Sequence, residues 1–133
     1  MISVNFEKLF LEAKNVRENA HVPYSLFKVG AALLTENDFI ISGCNVENAA
    51  YPQSQCAEAS AIGSFVSNGY KKIKEVVVIG SGKLLCSPCG GCRQRLREFA
   101  SLDTPIHMCN MDGHLKTSTL AELLPDSFGP ENL

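Results

Sequence analysis

Two short cysteine motifs constrain the fold of this chain more than any other feature. They are Cys56-Ala57-Glu58 and Pro88-Cys89-Gly90-Gly91-Cys92, which lie well apart in the sequence. Three thiolates form a ligand set for Zn²⁺, and three protein ligands leave the fourth position of a tetrahedral ion open to water. A fold that binds one ion through both motifs has to bring the two distant segments together. The motifs therefore predict where two elements of the structure meet.

A zinc site with an open position is typical of catalysis rather than of structural support. Water bound to Zn²⁺ loses a proton near neutral pH, because its pKa falls to about 7 from about 15.7. Glu58 follows Cys56 by two residues, and we expect it to stay off the metal and carry protons beside that water. The motifs therefore predict hydrolytic removal of an amine from a ring carbon, and zinc deaminases use such an arrangement, three cysteines included.

The cysteines leave other interpretations open. A single C-x-x-C is also typical of structural zinc or of a redox pair. Cys86 extends the second motif to C-x₂-C-x₂-C, which with Cys56 would complete a closed zinc site or an iron–sulfur site. Leu96 stands where a bacterial ferredoxin run has its next cysteine, and Cys86 precedes the helix start predicted at Ser87-Pro88. The sequence favours the open site, and a zinc module without activity is the alternative class.

Length and composition predict one domain over residues 1–133. A chain of 133 residues, 45% of them hydrophobic, buries about two-thirds of its unfolded surface. The net charge of −2, with acids and bases interspersed, argues against nucleic acid as the main partner. Residues 1–20 lack the apolar core of a signal peptide, and no apolar run has membrane-spanning length, so we expect a cytoplasmic protein without a membrane partner. Its six cysteines then serve as metal ligands or small buried residues.

Hydrophobic periodicity predicts an α/β fold, a mixed sheet with helices on its faces. The predicted elements are a helix between Asn5 and Pro23, a hairpin of 28–34 and 39–42, a helix from Cys56 to about Asn68, a central strand 75–79, a helix opened by Ser87 and Pro88, a hairpin of 106–110 and 115–117, and a last helix capped by Thr119 and Glu122. Cys89 and Cys92 then share one helix face. Cys56 begins another helix, and two positive helix ends suit a cluster of thiolates.

Several separated segments carry a resemblance to a known family. They are Pro23–Ala32 (PYSLFKVGAA), Gly43–Tyr51 (GCNVENAAY), the two cysteine motifs and Leu123-Leu124-Pro125. In these segments the chain resembles the small homotetrameric cytidine deaminases of the three-cysteine zinc type. The resemblance implies a three-layer α-β-α sandwich with a mixed sheet of about five strands. It implies deamination of cytidine and deoxycytidine to uridine and deoxyuridine in pyrimidine salvage, with another aminated heterocycle, such as a nucleoside antibiotic, as the alternative substrate.

The resemblance also implies roles for individual residues. One Zn²⁺ per chain would be held by Cys56, Cys89 and Cys92, with Glu58 as the proton shuttle. The implied substrate-binding residues are Phe27, Asn45, Val46, Glu47, Ala57 and Phe128. Among them, Asn45 and Glu47 bind the ribose hydroxyls, and Phe128 reaches the site of a neighbouring subunit. A carboxylate at the ribose would repel a 5′-phosphate, so we expect a nucleoside rather than a nucleotide. On residue type alone, Asn45 and Glu47 would lie in a solvated loop, and Phe27 and Phe128 would be core residues.

One position departs from the family pattern. Three-cysteine members typically have arginine directly after the catalytic glutamate, where it neutralises part of the thiolate charge, but this chain has Ala59. Three thiolates exceed the charge of Zn²⁺ by one, which makes water harder to deprotonate. We predict that Arg93, directly after the last ligand, compensates. Cys44 and Cys109 lie in strand-like segments and are predicted to be small core residues, whereas His21, His107 and His114 are predicted to be structural or surface residues.

Overall fold

The structure, a computed structural model that describes residues 3–133, has one mixed sheet of five strands among those residues. The strands are β1 Gly30–Thr35, β2 Ile40–Cys44, β3 Ile73–Ile79, β4 Pro105–Asn110 and β5 Gly113–Thr119. The helices are α1 Phe6–Arg17, α2 Ala57–Ser67, α3 Gly90–Phe99 and α4 Leu120–Leu123, and two 3₁₀ turns cover Tyr51–Gln53 and Pro130–Asn132. The sheet order is β2-β1-β3-β4-β5, with only the β3–β4 pair parallel.

The strand β3 lies at the centre of the sheet and is buried on both faces. Val76 and Val78 pack into a core with residues of α2 and α3, whereas Val77 and Ile79 pack against α1. Alternating side chains point to opposite faces of a strand, so a run of apolar residues needs helices on both sides. The predicted three-layer α/β sandwich is confirmed. Within residues 3–133, no helix combines the length and apolar character needed to cross a membrane.

Two glycines let helices approach the sheet closely at the end that carries the cysteine motifs. A Cβ atom at Gly43 in β2 would lie 2.8 Å from the Cα atom of Ala61 in α2. A Cβ atom at Gly30 in β1 would lie 2.9 Å from the Cβ atom of Arg17 in α1. Real Cβ atoms do not approach other atoms so closely, and glycine is the residue that permits this contact.

Most of the predicted elements are confirmed, but the predicted start of α3 is wrong. The helix begins at Gly90, and Cys89 is its N-cap residue with extended backbone, φ −67° and ψ 168°. Pro88 lies before the helix, and its carbonyl oxygen accepts a hydrogen bond from Arg93 Nε at 2.7 Å. Proline suits extended backbone as well as the first helical position, so the residue type did not discriminate between them. The capping box of Thr119 and Glu122 is present at α4.

Candidate metal centre and active site

Three thiols form a cluster between the starts of α2 and α3. The Sγ atoms of Cys56, Cys89 and Cys92 all lie within 4.8 Å of one another, and those of Cys56 and Cys89 are 3.9 Å apart. Three sulfur ligands at about 2.3 Å from a tetrahedral Zn²⁺ would be separated by about 3.8 Å. The donor set and its spacing therefore fit zinc. Cys92 is buried while Cys56 and Cys89 are exposed, so the cluster opens toward one side.

The backbone explains how Cys56 and Glu58 both face the cluster although they are two residues apart. Cys56 is the N-cap residue of α2, with extended backbone of φ −70° and ψ 157°, and Glu58 lies in the first helical turn. Cys89 has the same position before α3. A hydrogen bond from the backbone N–H of Cys92 lowers the pKa of the Cys89 thiol, whereas burial raises the pKa of Cys92. Two positive helix ends thus meet at the thiols.

Glu58 is a buried carboxyl group beside the cysteines. Its side chain is almost fully inaccessible, with 4% relative exposure of the residue. Burial raises the pKa of Glu58, and a backbone hydrogen bond, a bond with Cys92 and the charge of Arg95 oppose this shift. The ligand cluster among residues 3–133 contains the three cysteines and not Glu58. A carboxyl group with a raised pKa is suited to both accepting and donating a proton.

A cavity of about 290 Å³ opens above the cluster. Its walls include Asn45, Glu47, Cys56, Ala57, Glu58 and Cys89. A volume of this size is at the lower end of the range for small-molecule sites, which is about 300–1,000 Å³. A larger cavity of about 590 Å³ lies near the beginnings of β3 and β4, but the three-cysteine cluster is not part of it. We therefore assign the candidate active site to the smaller cavity.

Asn45 holds the segment before β1 against the cavity. Its Oδ1 atom accepts a hydrogen bond from the backbone N–H of Val29 at 2.9 Å, and its Nδ2 atom donates to the carbonyl oxygen of Phe27 at 2.8 Å. An amide side chain has a second N–H and a second lone pair on its oxygen. Asn45 can therefore fix this segment and still bind a ligand in the cavity.

Glu47 fixes the neighbouring turn in the same way. Its Oε1 atom accepts from the backbone N–H groups of Tyr24 and Ser25 at 3.0 and 3.1 Å, and the Ser25 hydroxyl donates to Oε2. The bond from the Ser25 hydroxyl is the main cause of the lowered pKa of Glu47. The side chain is thus a stable carboxylate at the cavity. The role of Ser25 could not be predicted from the sequence, because a hydroxyl at this position has no distinctive spacing to Glu47.

Three of the residues predicted to bind substrate do not line this cavity in the same chain. Val46 pairs through its backbone with Gln55, and its side chain is exposed. Phe27 is half-exposed and lines an adjoining cavity that shares Cys86 with the first. Phe128 lies in the C-terminal segment beside α3, with 57% of the residue exposed. Neither phenylalanine is a core residue, and the roles of all three in substrate binding stay predictions.

Arg93 does not contact the thiols, so the prediction that it balances their charge is wrong. Its Nε atom donates to Pro88 and its Nη1 atom to the carbonyl oxygen of Leu123, both at 2.7 Å. Arg95 approaches the cluster instead, with Nη1 3.8 Å from the Sγ atom of Cys92. Residues three apart share a helix face, whereas sequence neighbours do not. That spacing was visible in the sequence and would have identified Arg95.

Cys86 is a cavity-lining thiol outside the metal cluster. Among residues 3–133, the group of possible ligands contains Cys56, Cys89 and Cys92 without Cys86. The structure therefore argues against a closed four-cysteine site. Cys86 packs against Gly80, where a Cβ atom would lie 2.7 Å from its sulfur. Burial raises the pKa of the Cys86 thiol to about 11.

The remaining predicted structural residues lie away from the cluster. Cys109 is buried in β4 against α1. His107 is buried and hydrogen-bonded to Glu75 at 2.6 Å and to Thr117 at 2.7 Å. These bonds satisfy both ring nitrogens, as expected for a structural histidine.

Fold and site together define an α/β protein with an open three-thiol centre and a buried carboxyl group. Residues 4–108 match the sequence model of the cytidine and deoxycytidylate deaminase zinc-binding region. The chain is 44% identical over 130 residues to a cytidine deaminase of Sporosarcina psychrophila, covering 98% of this chain and 96% of the relative. It is 39% identical over 127 residues to one of Halalkalibacterium halodurans, covering 96% of each.

Solved structures of cytidine deaminases are also similar to this chain. A cytidine deaminase from Burkholderia pseudomallei superposes with a TM-score of 0.87 at 38% identity, covering 96% of this chain and all of that one. One from Mycobacterium tuberculosis gives 0.83 at 34% identity, covering 96% and 99%. This chain therefore belongs to the cytidine and deoxycytidylate deaminase family.

Proposed function

We propose that this protein is a zinc-dependent enzyme that hydrolyses cytidine and deoxycytidine to uridine and deoxyuridine plus ammonia, in pyrimidine salvage. The observation that carries this proposal is the buried Glu58 carboxyl group beside three clustered thiols at a cavity of about 290 Å³. Family membership and the activity in the names of relatives support it.

The proposed roles follow from the chemistry of the side chains. Cys56, Cys89 and Cys92 hold one Zn²⁺ per chain, which lowers the pKa of water and polarises the reacting centre when bound. Glu58 accepts the proton of the attacking water and donates it to N3 of the pyrimidine. The oxygen of that water bonds to C4, and Glu58 then takes the remaining proton of this oxygen and passes it to the amino group. The C4–N bond breaks, ammonia leaves, and C4 keeps a carbonyl oxygen. The raised pKa of Glu58 supports both directions of transfer.

Substrate binding is assigned to the residues around the cavity. Asn45 and Glu47 bind the ribose hydroxyls with the hydrogen-bonding capacity that their bonds to segment 24–29 leave free. The backbone at Ala57 holds the pyrimidine, Phe27 packs on the base, and Val46 is a further substrate-binding residue. Because Glu47 remains ionised, a 5′-phosphate is repelled and the nucleoside is preferred.

An ultraviolet assay with metal analysis tests this function. Purified protein is given cytidine, deoxycytidine, cytosine and cytidine monophosphate, and zinc is measured in the same preparation. We expect one zinc per chain and turnover of the two nucleosides. Turnover of a different aminated heterocycle alone would favour the alternative substrate. Zinc without turnover of any such compound would indicate a module without activity.

We also propose that residues 1–133 form one catalytic domain, of which the structure describes all but the first two, and that it assembles as a homotetramer with shared active sites. The exposed aromatic side chain of Phe128 and the exposed Leu84 support an interface between copies. A cytoplasmic location is proposed because a site of three reduced thiols suits a reducing compartment.

A further inference from the structure

We infer that Arg95 supplies the positive charge that balances the three-thiolate site in this chain, and that Gly91 keeps open the space it occupies. The inference rests on the proposed zinc ligation by three cysteines. Arg95 lies one helical turn after Cys92 on α3, and its Nη1 atom is 3.8 Å from the Cys92 sulfur. It acts on the metal ligands and not on substrate, so it is a positioning residue.

The site needs a cation because its charges do not balance. Three thiolates exceed Zn²⁺ by one negative charge, and the Glu58 carboxyl group lies beside them. Cys92 and Glu58 are both buried, with 0% and 4% exposure, so water offers them little stabilisation. A guanidinium donates charge-assisted hydrogen bonds and keeps its charge at any pH that the protein survives.

The other arginines of α3 are engaged elsewhere. Arg93 donates to the carbonyl oxygens of Pro88 and Leu123. Arg97 donates to the Ser127 hydroxyl at 2.8 Å and pairs with the Glu131 carboxylate. Among residues 3–133, Arg95 is the cationic side chain with a hydrogen bond to a cluster thiol.

Gly91 gives the Arg95 guanidinium room to pack beside the ligands. A Cβ atom at position 91 would lie 3.0 Å from Arg95 Nη1 and 4.0 Å from Cys89 Sγ, so an alanine would displace the guanidinium by a few tenths of an ångström. Gly90 offers a matched control on the same helical turn, because a Cβ atom there would have no neighbour within 4 Å. Residues 91 and 95 therefore form a coupled pair beside the ligands.

The test measures zinc affinity by competition with a chelator. The variants are Arg95→Met, Arg95→Lys, Gly91→Ala and the control Gly90→Ala. Loss of an outer partner of a metal ligand typically costs about 10–100-fold in affinity, and we expect the lower end for Arg95→Met because Arg95 is largely exposed. Arg95→Lys should retain part of the affinity, Gly91→Ala should weaken binding, and Gly90→Ala should bind as wild type does.

Two further readouts separate charge from a merely structural effect. The difference in affinity between wild type and Arg95→Met should shrink as salt rises, because an exposed charge is screened within about 10 Å at 0.1 M salt. In cobalt-substituted protein, the thiolate-to-metal absorption band should shift in Arg95→Met and Gly91→Ala but not in Gly90→Ala. Circular dichroism confirms that each variant is folded.

The outcomes distinguish this inference from the proposed ligation. Wild-type affinity and an unchanged cobalt spectrum in Arg95→Met and Gly91→Ala would overturn the role of Arg95 while leaving the zinc site intact. By contrast, a wild-type protein without zinc, or a Cys92→Ala variant that keeps wild-type zinc affinity, would overturn the three-cysteine ligation itself.

Discussion

Glu58 is the residue on which the proposed chemistry depends most directly. Glu58→Gln preserves the size and the buried position of the side chain but removes its proton-carrying group. We expect the variant to fold and to keep its zinc while turnover falls by about 10²–10⁴-fold, the usual contribution of a general acid–base group. Steady-state kinetics with metal analysis checks this. Loss of zinc with near-normal turnover in the metal-bound fraction would show that Glu58 is a ligand instead.

Glu47 allows the choice between nucleoside and nucleotide to be tested. Glu47→Gln keeps the shape and removes the charge that the Ser25 hydroxyl stabilises. A lost hydrogen bond to a charged group costs about 1.5–3 kcal/mol, so KM for cytidine should rise by about 10–100-fold. Discrimination against the monophosphate should fall, because the repulsion is gone. The ratio of kcat/KM for cytidine to kcat/KM for the monophosphate measures this discrimination. An unchanged ratio in Glu47→Gln would show that Glu47 does not cause the rejection of the phosphate.

The sequence predicts which cysteines lie together, because each motif places its residues locally in the chain. Cys56, Cys89 and Cys92 were predicted from their motifs, and the structure brings their sulfurs together. Arg93 was predicted to compensate for Ala59, but proximity in sequence was mistaken for proximity in space. Arg95 has the helical spacing to Cys92 that the contact requires.

The helix α3 links the metal centre to the C-terminal segment. The helix begins directly after Cys89 and contains Cys92. Its later residues Gln94 and Arg97 form hydrogen bonds with the segment 127–131. Gln94 Nε2 donates to the carbonyl oxygen of Phe128 at 2.9 Å. A Cβ atom at Gly129 would lie 2.6 Å from Arg97 Nη1, so glycine admits the buried guanidinium. The backbone of Phe128 is therefore fixed while its aromatic ring faces outward.

The ion pair of this segment predicts a pH dependence. The backbone N–H of Glu131, followed by the Arg97 side chain, lowers the pKa of Glu131 from 4.5. A carboxyl group whose pKa is lower in the folded state stabilises the fold above its unfolded pKa, and this is lost as pH falls through the folded pKa. Wild type should therefore be more stable than Glu131→Gln at neutral pH. The difference should shrink as pH falls below about 4.5 and vanish below the lowered pKa of Glu131 in the folded state. Melting temperatures across pH measure it, and a difference that persists in acid would contradict the ionic origin.

The hydrophobic pattern predicted the elements better than their ends. The five strands and the capping box of α4 follow from local rules, and β3 could be placed at the centre because of its apolar run 76–79. The start of α3 could not be placed, because Pro88 suits both helical and extended backbone. In the folded chain the Pro88 carbonyl accepts a hydrogen bond from the Arg93 side chain, and the helix begins two residues later, at Gly90.

At the scale of the whole molecule, the fold brings the starts of α2 and α3 together beside the cavity. Asn45 and Glu47 line it, but Phe128 lies on the far side of α3 in the same chain. Residue type alone predicts a core position for Phe128, and only the resemblance implies that its side chain serves a neighbouring copy. An exposed, well-anchored aromatic residue is typical of a binding anchor between subunits.

The last prediction is that Phe128 serves the active site of a neighbouring copy. Phe128→Ala should raise KM for cytidine while zinc content and the chemistry of Glu58 stay intact, because the ring is exposed and contributes little to the core of its own chain. Sedimentation should show wild type as a tetramer, and steady-state kinetics gives the KM. Full activity from a monomer would contradict the shared site.

Mixing two defective chains separates a shared site from a local one. Phe128→Ala is combined with the inactive Glu58→Gln chain under conditions in which subunits exchange. If Phe128 acts across an interface, hybrid tetramers contain some cavities that combine an intact Glu58 with an intact Phe128 from the neighbour. Activity with a low KM should then reappear on mixing. If exchange is demonstrated and no such activity returns, Phe128 serves its own chain and the tetramer is not needed to complete the site.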